Sequence, residues 1–276
     1  MPLPSLQTVI ARHQFRAKHS LGQHFLLDLN LTAKIASIAG DLAGRQVVEV
    51  GPGPGGLTRA LLQTAAAHVT AIEIDPRGVA AAEELAAHYP GRLTVVAGDA
   101  MKLDVVALVP GPRQIVANLP YNVGTPLLIG WLRQAAAFER LTLMFQEEVA
   151  QRIVAAPGTS AYGRLAVLAQ WTCTAALALR IPPEAFTPPP KVHSAVVRLL
   201  PHAEQPTPAL LSAMERVTHH AFGQRRKMLR AALKPLGGEA FLGRAGIEPT
   251  RRAETLTVAE FDRLARLLLE GAQPEA

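Results

Sequence analysis

The chain has 276 residues, of which 49% are hydrophobic, so it is long enough to bury the core of one large domain and a smaller one. Its net charge of +6 favours a polyanionic partner, and its single cysteine, Cys173, excludes an internal disulfide. The absence of any 18-residue apolar run or secretory signal pattern leads us to expect a soluble cytoplasmic protein without a membrane partner.

The first 27 residues are predicted to form a basic N-terminal arm. Arg12, Arg16 and Lys18 lie in this segment without any acidic residue. Such a segment favours contact with nucleic acid, although an incidentally basic tail would have the same composition. We therefore treat residues 1–27 as separate from the region that follows.

Residues 28–201 alternate between strand and helix patterns. Five segments have the length and composition of buried strands: QVVEV (46–50), VTAIEID (69–75), LTVVAGDA (93–100), RQIVAN (113–118) and RLTLMF (140–145). Helical patterns of ten or more residues occur between strands, which predicts a doubly wound parallel sheet. The segments AALALRI (175–181) and HSAVVRLL (193–200) are joined only by a Pro-rich loop, and we predict an antiparallel pair at the sheet edge. The fold class is therefore α/β and Rossmann-like, with seven strands.

The composition changes after Pro201. A polar linker, HAEQPTP, precedes four segments with helical spacing, at 209–222, 225–233, 239–246 and 258–271. Residues 202–276 are predicted to form a small all-helical C-terminal domain. Within 216–234 six cations occur without an acid, and we predict RNA binding by four of them, Arg225, Arg226, Lys227 and Arg230. A solvated helix face is the alternative interpretation of this cluster.

Cysteine and histidine give little indication of redox or metal chemistry. Cys173 lies among apolar and small residues in LAQWTCTAALAL, which favours a buried structural thiol over a nucleophile. The nine histidines show no paired ligand spacing, so we expect no metal site.

A glycine-rich turn, EVGPGPGGLT (49–58), follows the first long strand and opens a helix. Gly51, Gly53 and Gly56 satisfy the dinucleotide fingerprint, and Glu73 ends the next strand 22 residues after Gly51. A nicotinamide-dependent oxidoreductase must therefore be considered, although this motif alone is weak evidence.

Two prolines in the turn favour a different cofactor. Pro52 and Pro54 each remove a backbone N–H that would be needed to bind a pyrophosphate. S-adenosylmethionine has no phosphate, so it does not need these donors. Glu73 is placed to accept hydrogen bonds from the two ribose hydroxyls of that cofactor. Asp99, at the end of the third strand, is placed to accept from the adenine amine, and it could also cap a helix.

The stretch NLPY (118–121) follows the fourth strand, where ligands of doubly wound sheets bind. Pro120 biases Leu119 toward an extended conformation, which could direct the side-chain oxygen of Asn118 and the carbonyl of Leu119 to one point. Two converging acceptors match an exocyclic amine, and Tyr121 offers a ring for a base to stack on, worth roughly 1–3 kcal/mol. The alternative is a structural turn with Tyr121 in the core.

Eight ordered blocks resemble those of the ribosomal RNA adenine dimethyltransferases, and more closely those of the bacterial small-subunit enzymes. They are LGQHFLLD (21–28), VVEVGPGPGGLT (47–58), IEID (72–75), GDAM (98–101), NLPY (118–121), FQEEVAQRI (145–153), FTPPPKVHSAVVRL (186–199) and FGQRRKMLR (222–230). The resemblance implies dimethylation of two adjacent adenines near the 3′ end of 16S rRNA, within the 30S subunit and during its biogenesis. S-adenosylmethionine would be the donor, and we expect a monomer.

The resemblance also implies site residues. Cofactor contacts carried over to this chain are His24, Leu26, Gly51, Glu73, Asp99 and Asn118, with Gly53 in the same loop, and the N-terminal motif would cover the cofactor. The sequence departs from the family at His24, where Asn is usual, and the bulkier imidazole can still form one hydrogen bond. The FTPPPKV block suggests that Phe186 is a second wall of the base pocket beside Tyr121, although a core position is an equal alternative.

Three competing functions remain open from the sequence. The related large-subunit rRNA adenine methyltransferases share the glycine-rich and NLPY-like blocks. A non-catalytic RNA-binding assembly factor could keep the fold, but it would have no chemical need for an intact donor site and NLPY. The nicotinamide oxidoreductase is the third.

Overall fold

The computed structural model describes residues 3–15, 23–224 and 226–271. The chain forms two compact units: a sheet unit, made of Met1–Gly130, Ala137–Ala150 and Ala176–Leu200, and a helical unit, made of Trp131–Ala136, Gln151–Ala175 and Pro201–Ala276. This division differs from the predicted boundary at residue 201. The segment 151–175 joins the helical unit because its apolar residues, among them Tyr162, Ala166 and Val167, pack in one core with residues of the C-terminal helices such as Phe261.

The sheet unit contains a seven-stranded sheet. Its strands are β2 (Gln46–Val50), β3 (His68–Glu73), β4 (Leu93–Ala97), β5 (Arg113–Asn118), β6 (Arg140–Gln146), β7 (Cys173–Ile181) and β9 (Ser194–Pro201), in the order β4-β3-β2-β5-β6-β9-β7. The pairs β2–β3, β3–β4, β2–β5 and β5–β6 are parallel, and β9 is antiparallel to β6. The predicted Rossmann-like sheet is confirmed, and β9 and β7 lie side by side at its edge.

A helix follows each of the five parallel strands β2 to β6, as expected of this topology. The first eight are α1 (Leu6–Arg12), α2 (Leu29–Ile38), α3 (Gly56–Leu62), α4 (Pro76–His88), α5 (Val105–Leu108), α6 (Gly124–Leu132), α7 (Glu147–Ile153) and α8 (Arg164–Thr172). Asp75 caps α4 by accepting from the Arg77 N–H, and Pro76 occupies its first turn. The strand order reverses between β2 and β5, so the carboxyl ends of these two strands define the crevice in which ligands of this fold bind.

A two-stranded ribbon connects distant parts of the sheet unit. β1 (Phe25–Leu26) pairs antiparallel with β8 (Phe186–Thr187), with Leu26 opposite Phe186. Gly56, the first residue of α3, packs directly against the ribbon. A Cβ at this position would lie 2.4 Å from the carbonyl oxygen of Leu26, so only glycine allows this approach. The ribbon therefore brings the N-terminal motif to the FTPPPKV loop, which the separate blocks of sequence could not reveal.

The N-terminal residues belong to the sheet unit. Arg12 and His13 both pair with Glu84 of α4, and the ring of Phe15 packs edge-on against Phe25 with 5.4 Å between centroids. The predicted arm contains no acid, but an acid of a distant helix pairs with it in the fold. A count of charges along the sequence cannot detect such a pair. Arg16 and Lys18 lie outside the described residues.

The helical unit ends in α9 (Pro208–Gly223), α10 (Leu229–Ala232), α11 (Gly238–Arg244) and α12 (Val258–Glu270). The helix predicted over 225–233 is much shorter than expected. The N–H groups of Leu229 and Arg230 donate to the carbonyls of Arg251 and Pro249, so a neighbouring loop uses donors that a longer helix would have used internally. Among the described residues, no helix is both long and apolar enough to cross a membrane.

The predicted burial of Cys173 is confirmed. The thiol is 1% exposed, and burial raises its pKa to about 11, with a weaker opposing effect of the Thr172 hydroxyl. Such a thiol is almost entirely protonated at neutral pH and is not a nucleophile.

Candidate active site

A cavity of about 250 Å³ opens at the carboxyl ends of β2 to β5 in the sheet unit. Residues from the N-terminal motif, the glycine-rich turn and the loops after β3, β4 and β5 line it. The predicted residues among them are His24, Leu26, Gly51, Gly53, Glu73, Asp99, Asn118, Leu119, Pro120 and Tyr121. The fold thus collects all of the predicted cofactor residues and the whole NLPY stretch around one space.

The glycine-rich turn passes close to the ring of Phe25 where it lines the cavity. Gly53 has a φ of +53°, and a Cβ there would lie 3.1 Å from the ring of Phe25. A side chain at this position would be strained and would also press on the N-terminal ribbon. Pro52 and Pro54 line the cavity as well, so the turn presents fewer N–H donors than a pyrophosphate-binding turn requires.

Glu73 is fixed by the backbone around it. Its Oε2 accepts from the Gly53 N–H at 3.2 Å, and its Oε1 accepts from the N–H groups of Ile74 and Asp75, both at 2.8 Å. The side chain is 5% exposed, and burial raises its pKa while these three hydrogen bonds oppose the rise. A carboxylate has about four acceptor sites, so one can still serve a ligand hydroxyl.

Gly78 supports Glu73, and sequence reasoning missed it. A Cβ at this position of α4 would lie 2.7 Å from the Glu73 carboxylate oxygen Oε2. Helix α4 can therefore approach the carboxylate only with glycine at this point. The signal in the sequence was a glycine inside an otherwise strong helix pattern, PRGVAAAEELAAH, where glycine costs about 1 kcal/mol relative to alanine.

Asp99 forms a turn after β4. Its Oδ1 accepts from the Met101 N–H at 3.0 Å, whereas the N-cap of α5 is Asp104, so Asp99 caps no helix. Two apolar side chains that the sequence analysis did not select, Ile74 and Met101, also line the cavity and are 55% and 46% exposed. Such exposed apolar groups at a cavity mouth suit contact with a flat ring.

Asn118 ends β5 and is oriented by the N-terminal motif. Its Nδ2 donates to the backbone carbonyl of His24 at 3.2 Å. Because the amide nitrogen is used in this way, Oδ1 is the atom that remains as an acceptor for a ligand. This contact joins the LGQHFLLD and NLPY blocks. The two bonded residues are 94 positions apart in the sequence.

Tyr121 is held at both ends. Its hydroxyl lies 2.6 Å from the hydroxyl of the buried Ser194, and its ring lies 5.2 Å from the His24 ring at an interplanar angle of 31°. Burial raises its pKa, and the contact with Ser194 opposes the rise, so the phenol is neutral at physiological pH. Ser194 lies in the FTPPPKVHSAVVRL block, but its pairing with Tyr121 depends on the position of β9.

Phe186 is placed differently from the predicted base wall. It is 2% exposed, it belongs to the buried core of the sheet unit, and it does not line the cavity. The ring beside Tyr121 is that of His24, which also meets the edge of Phe186 at 6.5 Å and whose Nδ1 lies 2.9 Å from the Pro188 carbonyl. The structure places Phe186 as in the core interpretation, because its side chain packs among the buried residues of the sheet unit.

Residues 14–270 match the family model of ribosomal RNA adenine dimethylases. The chain belongs to this family. It is 66% identical over 267 residues to ribosomal RNA small subunit methyltransferase A of Gluconobacter oxydans, covering 97% of this chain and 88% of that protein. It is 61% identical to the protein of the same name from Mesorhizobium japonicum, covering 95% and 97%.

Two solved structures are similar to this protein over most of its length. A dimethyladenosine transferase from Plasmodium falciparum has a TM-score of 0.73 and 25% identity, covering 87% of this chain and 96% of that one. The 23S rRNA methyltransferase ErmE has a TM-score of 0.66 and 29% identity, covering 88% and 99%. The adenine dimethylases use S-adenosylmethionine as methyl donor, so the predicted cofactor is confirmed and the nicotinamide alternative is not favoured.

The basic cluster that was predicted to bind RNA is only partly available for contact with phosphates. Arg225 lies outside the described residues. Arg226 and Lys227 are exposed in the turn before α10, and Arg230 pairs with Glu239 of α11 at 3.3 Å. The segment 216–234 contains no acid, but the fold supplies one from the next helix, so Arg230 has less charge available for a phosphate than predicted.

Proposed function

We propose that this chain transfers methyl groups from S-adenosylmethionine to the exocyclic amines of two adjacent adenosines near the 3′ end of 16S rRNA. It does so on the 30S subunit, during subunit biogenesis in the cytoplasm. The observation that carries the proposal is the convergence of Glu73, Asn118 and Tyr121 on one cavity. These three residues belong to one chain, and we propose that a monomer is the active form.

The donor half of the cavity fits S-adenosylmethionine. The cofactor supplies a methyl group already activated by a sulfonium. Glu73, fixed by three backbone N–H groups, accepts from the ribose, and Asp99 accepts from the adenine amine with the oxygen that does not bond Met101. Ile74 and Met101 would hold the adenine ring, and Gly51 and Gly53 would admit the methionine part close to the backbone.

The acceptor half uses the NLPY stretch. Asn118 Oδ1 and the Leu119 carbonyl accept the two hydrogens of the adenine amine, and Tyr121 holds the base by stacking. Accepting from the amine favours its pyramidal form, in which the nitrogen lone pair is free to attack. The donor would supply a methyl group that passes to the amine nitrogen as its bond to sulfur breaks, and the amine would lose one proton to water. The His24 carbonyl keeps Asn118 in the orientation that this requires.

The names of relatives favour the small subunit over the large one. Proteins named ribosomal RNA small subunit methyltransferase A are 57–66% identical to this chain, whereas the 23S rRNA methyltransferase ErmE is 29% identical. A direct comparison tests this choice: unmethylated 30S subunits and large-subunit RNA are incubated with labelled donor. Incorporation into 30S subunits is expected, and incorporation into large-subunit RNA alone would contradict the proposal.

Arg226 and Lys227 are proposed to contact rRNA phosphates. Replacing both with alanine should weaken 30S binding and reduce the slope of log affinity against log salt by roughly one to two units, since each phosphate contact contributes slightly under one. The measurement is a filter-binding titration at several salt concentrations. The matched control is Arg244→Ala, an exposed cation at the end of α11, and an unchanged slope in the double variant would remove these contacts.

A further inference from the structure

The His24 side chain contacts the acceptor side of the cavity. Its ring centroid lies 5.2 Å from that of Tyr121, with 31° between the two planes, and it meets the edge of the Phe186 ring at 6.5 Å. Its Nδ1 lies 2.9 Å from the backbone carbonyl of Pro188. These contacts are with the NLPY stretch and the FTPPPKV block, whereas the family resemblance assigns His24 to the cofactor.

The backbone around His24 fixes the position of its ring. The next two residues, Phe25 and Leu26, pair with β8, and the His24 carbonyl accepts from the Asn118 side chain at 3.2 Å. A carbonyl oxygen can only accept, so Nδ1 carries the hydrogen in the contact with Pro188. The imidazole is therefore held in one orientation and one tautomer.

The hydroxyl contact of Tyr121 does not by itself fix the plane of its ring. The hydroxyl oxygen lies on the axis about which the ring turns, so the 2.6 Å contact with Ser194 holds the far end of the side chain and still allows rotation. A second ring beside the first opposes that rotation, because aromatic pairs are favourable at centroid distances of about 4.5–7 Å. The His24 ring lies within this range of Tyr121.

We propose that His24 is a positioning residue for the acceptor base, because its ring sets the plane of Tyr121 on which the adenine stacks. The inference rests on the acceptor site proposed above. The adenine takes the part of the Tyr121 ring that His24 leaves uncovered. The plane of that ring then sets the direction from which the amine meets the methyl group, and rates of group transfer depend strongly on such alignment.

Two variants of the full chain separate the ring of His24 from its hydrogen bond. His24→Asn removes the ring and keeps an N–H donor for the Pro188 carbonyl, and asparagine is also the residue usual in the family at this position. His24→Phe keeps a ring and removes the hydrogen bond. Both variants keep the backbone carbonyl that holds Asn118.

The measurements are kcat and KM on unmethylated 30S subunits at saturating donor, together with isothermal titration of each protein with S-adenosylmethionine. His24→Asn should lower kcat by about 3- to 10-fold, the effect of losing one aromatic pair. His24→Phe should retain most of the natural rate. Donor affinity should change far less than kcat, and thermal unfolding checks that both variants are folded.

Ser194→Ala provides a readout that a merely structural role of His24 would not change. It releases the hydroxyl end of Tyr121, so the ring contact with His24 becomes the main restraint on that side chain. The double variant Ser194→Ala/His24→Asn should therefore lose more rate than the product of the two single losses, since both residues act on one ring. A loss equal to that product would overturn coupling through Tyr121.

The single variants distinguish the remaining outcomes. An unchanged kcat in His24→Asn would overturn the positioning role. Equal losses in His24→Asn and His24→Phe would assign the effect to the hydrogen bond and overturn the role of the ring. Weakened donor binding with a normal rate at saturating donor would assign His24 to the cofactor instead. Failure of the natural chain to methylate 30S subunits would overturn the proposed function and, with it, the acceptor role of His24.

Discussion

Replacing Asn118 with alanine is expected to slow methyl transfer by about 10²–10³-fold, the usual effect of removing one hydrogen-bonding group aimed at the reacting atoms. The effect on donor affinity should be much smaller. Asn118 Nδ2 is already used by the His24 carbonyl, so the variant loses chiefly the Oδ1 acceptor for the adenine amine. Single-turnover rates on 30S subunits and donor titration measure the two effects separately.

Tyr121 gives a matched pair of variants for the same pocket. Tyr121→Ala removes the ring and should abolish turnover. Tyr121→Phe keeps the ring and loses only the 2.6 Å contact with Ser194, so it should retain much of the rate. Full turnover by Asn118→Ala or by Tyr121→Ala would contradict the proposed acceptor site.

Gly78→Ala is expected to weaken donor binding by about 10- to 100-fold, which corresponds to the loss of one hydrogen bond to a charged group. The added Cβ would lie 2.7 Å from the Glu73 carboxylate, so Glu73 or α4 must move. Alanine is otherwise favoured over glycine in a helix by about 1 kcal/mol. Donor titration and thermal unfolding of the same variant separate a loss of binding from a loss of folding.

Gly130→Ala is the control for that substitution. Gly130 also lies in a helix, α6, but a Cβ there meets no atom within 4 Å. This variant should bind the donor as the natural chain does. If Gly78→Ala also binds the donor normally, donor binding does not depend on the support of Glu73 by α4.

Local patterns were sufficient to predict the seven strands of the main sheet, but not their order. Runs such as QVVEV and RQIVAN are apolar because both faces of a parallel sheet are covered, and this leaves a clear signal in the sequence. The ends of those strands then gave Glu73, Asp99 and Asn118, since ligands bind at that edge in this topology.

Contacts between distant segments were not predictable in the same way. The β1–β8 ribbon consists of two residues on each side, too few for any periodicity, yet it places His24 beside Tyr121 and leaves Phe186 in the core. Similarly, Glu84 and Glu239 neutralise cations that have no acid near them in sequence. Such pairs depend on helix packing and not on local composition.

The most direct test of the proposed function is mass spectrometry of small-subunit RNA after incubation of unmethylated 30S subunits with the chain and labelled S-adenosylmethionine. The predicted result is four added methyl groups, two on each of two adjacent adenosines near the 3′ end of 16S rRNA. Methyl groups at any other nucleotide, or none in 30S subunits alongside methylation of large-subunit RNA, would contradict it.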